Sequence, residues 1–474
     1  MKLFDTLSGE KRDFQPRGSE VKLYVCGVNP YAPAHVGHAL SYLTFDVLRR
    51  YLEFRGFSVY HVQNFTDVED NIIAAAHRAG VTITELTERY IQEFFEDMDA
   101  LNILRAHVYP KATEEIPQII EMVSGLVEKG YAYPVDGSVY FRVTRFDGYG
   151  KLSHRTLDGM MAGARVEVEA RKEHPMDFVL WKAAKPAEPF WESPWGPGRP
   201  GWHIECSAMN LHHLGEQVDI HGGGRDLVFP HHENEIAQIE AFTGTAPFSS
   251  FWLHNGLLRL DEAKMSKSVG NLVTVREALS SVSPDGLRLY LLSSHYRNPL
   301  AYGEESLQAQ ERGAERLRQA ARIEDGPSTG GEQVDPEPYR RRFRDSMDDD
   351  LNTPQALAAL FDLAREMNRG RESGKGIGQA RSTLLELSGV LGLTLEFPTG
   401  DDGAVASLLD LLREFQLVAS TDATAPSAIQ RLVEHRDELR ASRQFELADR
   451  IRDRLQDLGV ALEDTAQGTH WSFQ

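Results

Sequence analysis

The residues best able to do chemistry begin with two cysteines, the only thiols among 474 residues. Cys26 lies near the end of an apolar, β-branched run, Val21 to Val28, and Cys206 sits in Gly201-Trp-His-Ile-Glu-Cys-Ser-Ala-Met-Asn210. Downstream, Phe229-Pro-His-His-Glu-Asn-Glu235 sets His231 and Glu235 four residues apart. If Pro230 opens a helix, the two share one face and can converge on one ion. Two thiolates, an imidazole and a carboxylate make a plausible zinc set. The order His-His-Glu is not the H-E-x-x-H of a zinc peptidase, so that reading is discounted. The plain alternative is a pair of small buried thiols and a polar helix start.

Two further motifs suit a nucleotide. His35-Val-Gly-His38 follows the first apolar run, and its i, i+3 spacing brings both imidazoles to one face of a first helical turn. Gly37 lets a flat ring system approach the backbone, and a helix N-terminus suits phosphates. Lys264-Met-Ser-Lys-Ser268 carries two lysines that could clamp the leaving oxygens of a triphosphate. Taken singly, each motif is accounted for by surface histidines near a cap or by a solvated loop. Together and in this order they are far more specific.

The elements that must hold these groups read as α/β. Val21–Val28 is a strand, Leu40, Leu43, Val47, Leu48, Tyr51 and Leu52 form a helical stripe, and Ser58–Phe65 is the next strand. Short loops between them imply a right-handed crossover and a parallel sheet, whose ligands gather beyond the carboxyl ends of its strands. Thr82-Ile-Thr-Glu85 reads as a capping box for a helix running toward Ala100. Residues from about 115 to 200 change character and read as an insertion between two halves of the sheet domain. A strand at Gln217–His221 and a helix from His231 to Phe242 resume the α/β pattern. After about Thr274 the chain turns mostly helical, with Thr353 as a capping residue before Pro354 and a small helical domain at the end.

Composition is that of a soluble globular protein, with 41% hydrophobic and 26% charged residues. Seventy-one acidic against 51 basic residues give a net charge of −20, which argues against non-specific coating of nucleic acid. A specific RNA partner held by a local basic surface stays open. The polar start and the lack of a long apolar run predict a cytoplasmic protein with reduced thiols and no membrane contact.

YVCG, HxGH, NxTDxEDN, GWHIECSAM, HGGGxDLxFPHHENE and KMSKSxGN, in this order, resemble the bacterial cysteinyl-tRNA synthetase family, within the class I aminoacyl-tRNA synthetases. The resemblance runs over nearly the whole chain. It implies an ATP-dependent ligase that activates L-cysteine as an adenylate and transfers it to the terminal ribose of tRNA(Cys). It implies one Zn2+ on Cys26, Cys206, His231 and Glu235, selecting the substrate thiolate over serine, and Mg2+ with ATP. His35, His38, Lys264 and Lys267 are the expected catalytic residues. Gly37 and Asp226, with Lys267, are expected on the nucleotide, and Trp202, His221 and Thr66 around the amino acid. Arg440, Asp449, Arg452 and Asp464 are the candidates for the anticodon. A monomer is expected.

The implied architecture is a Rossmann-type parallel-sheet catalytic domain in two halves, 1–114 and 201–260, with a connective insertion at 115–200. A KMSKS and stem-contact region follows at 261–322, then a helical bundle at 323–398 and an anticodon-binding domain at 399–474. One departure stands out: the family commonly continues YVCG with Pro-Thr-Val, whereas this chain has Val28-Asn29-Pro30. No role carries over to Asn29. A cysteine ligase acting on an amino sugar would share the zinc and ATP motifs but is expected to lack the long helical C-terminal half. A non-catalytic tRNA-binding paralogue has no reason to keep both HxGH and KMSKS, and a purely structural metal protein leaves the lysines unexplained.

Overall fold

The computed structural model describes residues 1–163, 171–186, 188–260, 263–264, 273–323, 332–396, 402–415, 417, 425–458, 460–465 and 468–473. Four parallel strands form its central sheet, in the spatial order Ser249–Asn255, Val218–Gly224, Glu20–Val25, Ser58–Gln63. Helices cover the sheet, so its strands are largely buried even at polar residues such as Asp219 and His221, and their register sets Tyr24 opposite His221. The helix Val36–Phe54 links Glu20–Val25 to Ser58–Gln63, and every residue of the expected stripe is buried. Thr82 does cap the helix Ile83–Ala100, in a reciprocal capping box with Glu85.

After Gln63 the chain leaves this sheet and returns at Val218. Within the intervening stretch lies a separate antiparallel sheet of Ala132–Val135, Ser138–Phe141, Phe178–Ala183 and Gly198–Pro200. Its first hairpin turns on Asp136-Gly137, both at positive φ, the conformation a two-residue turn demands. Asp70, in the first turn of the helix Asp70–Ala79, accepts from Lys182 at 2.6 Å and from Arg199, tying this sheet to the segment that follows Ser58–Gln63.

Beyond Thr274 come the helices Pro284–Leu292, Glu304–Arg322, Glu337–Asp348, Thr353–Glu372 and Gly378–Val390. The helix at Thr353 starts one residue earlier than expected. Asn352 is its cap, accepting from the Gln355 amide at 3.3 Å, while Thr353 is already helical and donates to the Leu292 carbonyl.

Two compact units divide the chain, Met1–Thr394 and Leu395–Gln474. The second holds the helices Asp402–Glu414, Ala425–Ala441 and Phe445–Asp457 around its own core, which includes Leu411, Ile429, Leu432 and Ile451. It is not purely helical, because Val460–Thr465 and Gly468–Phe473 pair as an antiparallel hairpin. Among the described residues no helix is long and apolar enough to cross a membrane.

Candidate active site

Cys26 is the residue just past the strand Glu20–Val25, and its amide donates to the Gly222 carbonyl at 3.0 Å. Cys206 lies on the helix Trp202–Leu214, with its sulfur 3.9 Å from that of Cys26. His231 and Glu235 meet as their spacing predicts, His231 Nε2 lying 3.1 Å from Glu235 Oε1. The same carboxylate oxygen is 3.5 Å from Cys26 Sγ. All four groups are buried. Two sulfurs, an imidazole and a carboxylate gathered in a closed centre fit a zinc ion by donor chemistry.

Sequence reasoning left three neighbours out. His232 Nε2 lies 3.2 Å from Cys26 Sγ, and the donor atoms of Cys26, His231, His232 and Glu235 all fall within 4.8 Å of one another. His232 stands next to His231 in the chain and three residues before Glu235, so its placement was readable. His254 and His203 carried no such signal, since each arrives from another element. His254 Nε2 lies 2.8 Å from His232 Nδ1, and its own Nδ1 2.8 Å from Thr6 Oγ1. His203 Nδ1 lies 2.9 Å from His231 Nδ1. These contacts fix ring orientation from behind, as the outer partners of metal-binding histidines do.

Burial and charge act against each other here. Burial pushes the Cys26 thiol up, and its hydrogen bond to Cys206 adds to this. The same bond pulls Cys206 down to about 6 against the cost of burial. Burial opposes a charged His231, yet the sulfur of Cys206 and the carboxylate of Glu235 lift it to about 10. Burial, aided by the neighbouring His221 and opposed by Glu235, holds His232 well below the usual imidazole range.

Trp202 stacks on His231, ring centres 4.4 Å apart, so it walls the centre. His221 lies 3.7 Å from Cys26 Sγ through Nε2, with Asn210 Nδ2 3.1 Å from its far nitrogen. Thr66 is buried, its hydroxyl accepting from Asn64 Nδ2 at 3.3 Å. Backbone contacts hold the departing turn: Gly27 N donates to Asn64 Oδ1 at 2.8 Å, and Thr66 N to the Val28 carbonyl at 3.2 Å. A Cβ at Gly27 would fall 1.5 Å from the Asn64 carbonyl oxygen, so only glycine fits there.

His35 is the cap of the helix Val36–Phe54, its ring accepting from His38 N, while the His38 ring accepts from His35 N. The two rings stack 3.7 Å apart, on one face as expected. Gly37 admits a ring, and the ring beside it is that of His35, 2.9 Å from where a Cβ would stand. Val273 and Val275, downstream of the lysine motif, adjoin this turn. Val36 N donates to the Val273 carbonyl and Val275 N to the Ala34 carbonyl, both at 3.0 Å. Lys264 lies in the short strand Ala263–Lys264, and Lys267 lies outside the described residues. Asp226 is exposed, in the single turn Arg225–Leu227 after the strand Val218–Gly224.

In the second unit, Asp464 accepts from Arg436 through both oxygens, at 2.8 and 3.0 Å, and from Arg440 at 2.5 Å. Arg452 comes within 3.7 Å of the same carboxylate, and Asp449 is exposed on the helix Phe445–Asp457.

Residues 14–312 match the family described as tRNA synthetases class I (C) catalytic domain, and residues 342–396 match the DALR domain. The chain is 56% identical to the cysteine–tRNA ligase of Dehalococcoides mccartyi strain BAV1, over the full length of both. It is 46% identical to that of Desulfitobacterium hafniense, again over both full lengths. A solved structure of Mycobacterium tuberculosis methionyl-tRNA synthetase in complex with methionyl-adenylate aligns with a TM-score of 0.60 at 17% identity. It covers 83% of this chain and 91% of that one, a likeness of fold.

Proposed function

The chain belongs to the cysteine–tRNA ligase family of class I aminoacyl-tRNA synthetases, and from that premise we propose how its residues divide the work. It is an ATP-dependent ligase that joins cysteine to tRNA. The amino-sugar ligase and the non-catalytic paralogue are not favoured, because full-length relatives carry the cysteine–tRNA ligase name. The cysteine carboxylate attacks the α-phosphate of ATP and pyrophosphate leaves. A terminal ribose hydroxyl of tRNA(Cys) then displaces AMP from the adenylate. Neither step needs a protein nucleophile, so rate comes from positioning and from stabilising developing charge.

His35 and His38 face the phosphates from the helix start, with Lys264 and Lys267 on the leaving group and Mg2+ accompanying ATP. Gly37 and Asp226 border the adenosine. Cys26, Cys206, His231 and Glu235 hold one zinc ion. When bound, zinc supplies a soft Lewis-acid centre that prefers a thiolate to a serine hydroxyl, a distinction that shape alone makes weakly. Trp202, His221 and Thr66 close the amino-acid pocket, and His203 holds the His231 ring. Arg440, Asp449, Arg452 and Asp464 meet the anticodon bases, whose edges an unpaired loop exposes. We read the protein as a cytoplasmic monomer.

The observation that carries this reading is the meeting of Cys26, Cys206, His231 and Glu235 beside the stacked Trp202. ATP–pyrophosphate exchange tests it. Exchange should require cysteine, fall on treatment with a chelator and return with Zn2+. Serine supporting exchange as well as cysteine would defeat the selection role.

A further inference from the structure

A second group of metal-type donors lies apart from the buried centre. Glu115 precedes the helix Ile116–Glu128, and His212 and His213 occupy the last turn of the helix Trp202–Leu214. His212 Nδ1 is 2.7 Å from Glu115 Oε2, and His213 Nε2 is 2.8 Å from Glu115 Oε1. The three donor atoms fall within 4.8 Å of one another. We propose that Glu115, His212 and His213 form a second metal site, free of sulfur, for a divalent transition-metal ion such as Zn2+, Co2+ or Ni2+.

The geometry asks little of the chain. Donors around a tetrahedral ion at roughly 2.0–2.2 Å stand about 3.3–3.6 Å apart, so each contact need open by about 0.5–0.9 Å. Both imidazoles already aim a nitrogen at the carboxylate, and an ion replaces the protons that join them. Two imidazoles and one carboxylate suit zinc, cobalt and nickel, whereas Mg2+ and Ca2+ prefer all-oxygen sets.

Exposure is graded in the sense that a loadable site needs. The Glu115 side chain is 8% exposed, that of His213 21% and that of His212 46%, so His212 is the open door. Three protein ligands leave a fourth position for water. The negative end of a helix favours a cation at the two histidines. His212 lies about 9 Å along the helix from Cys206, too far to share an ion with it. The occupied site staples the helix that carries Trp202 and Cys206 to the start of Ile116–Glu128.

Full-length protein holding one equivalent of zinc per chain is titrated with Co2+, with uptake followed by calorimetry and visible absorption. Wild type should take up one further equivalent without sulfur-to-cobalt charge-transfer absorption. His212→Ala should lose that equivalent while retaining its zinc and its cysteine-dependent exchange. His212→Gln, which can still hydrogen-bond Glu115, should lose it as well, separating the metal from the clamp. No further uptake by wild type, undiminished uptake by the variants, or charge-transfer bands with the added Co2+ would overturn the site.

Discussion

Gly37 has no room for a side chain, because a methyl group there would stand 2.9 Å from the His35 ring. That ring is both the helix cap and one half of the stack with His38, so it cannot yield without cost. Gly37→Ala should therefore lower exchange on the order of 100-fold through misplacement of the histidines. Loss of one cap contact costs only about 1 kcal/mol, so the melting temperature should barely move. Exchange kinetics beside a thermal scan check this, and a large fall in stability with normal exchange would refute it. Cys206→Ser replaces a soft ligand with a poor one and should remove about one equivalent of bound zinc by metal analysis, together with cysteine activation. His203→Ala leaves every proposed ligand in place but frees the His231 ring, so zinc affinity should fall about 10–100-fold in a competition with a chelator. The proposed ligands were legible as residues because composition and i, i+4 spacing announce them. Their supports were not, since Thr6, His203 and His254 reach the centre only through the fold.

At the scale of elements, the strands and helices around the histidine turn were legible because both periodicity and breakers marked them. The helix start at Thr82 was legible because its capping box is local. The closing hairpin was not. Val460–Thr465 carries Glu463 and Asp464 among few apolar residues, which leaves a weak two-residue alternation for a reader of the sequence. Its pairing is secured by chemistry distant in sequence. Arg436, on the helix Ala425–Ala441, is buried and binds Asp464 through both carboxylate oxygens. The Arg436 guanidinium holds the Asp464 carboxyl well below the usual carboxylate range, with Thr469 and Arg440 assisting against the cost of burial. A depressed folded-state value means stability that is fully present above the unfolded carboxyl value, about 4, and lost as pH falls toward the folded one. Hydrogen exchange on the full chain should show the hairpin amides losing protection below about pH 4. Asp464→Asn should remove about 1 kcal/mol at neutral pH, since solvent screens the partly exposed carboxylate, and flatten that acid dependence. An unchanged acid slope in the variant would show that other groups carry it.

At the scale of the molecule, the problem is to hold two motifs more than two hundred residues apart in one geometry. Backbone bonds from Val36 and Val275 join the histidine turn to residues 273–275, downstream of the lysines, but two such bonds do not set a helix axis. Asp46 does more. It stands on the same helix as the histidine motif and accepts from Arg50, from the Leu104 amide at 2.9 Å and from Arg288 at 2.7 Å. Arg288 comes from the helix Pro284–Leu292 and also donates to the carbonyls of Leu101 and Leu391. Both charges are buried, so the pair survives only because nearly every donor and acceptor is used. Asp46→Asn keeps the shape but strands a buried guanidinium, and should cost about 3–5 kcal/mol. Replacing both partners, as Asp46→Leu with Arg288→Met, removes the stranded charge but leaves the Leu104 amide and the Leu101 and Leu391 carbonyls without their partners, so it should recover only part of that loss. Because the second unit has a core of its own residues, the loss should appear in amides of Met1–Thr394, while those around Leu411, Ile429 and Ile451 keep their protection. Hydrogen exchange resolved by peptide separates these outcomes. Equal stability of Asp46→Asn and wild type would mean that the backbone stitch at Val36 and Val275, not the buried pair, holds the histidine helix in place.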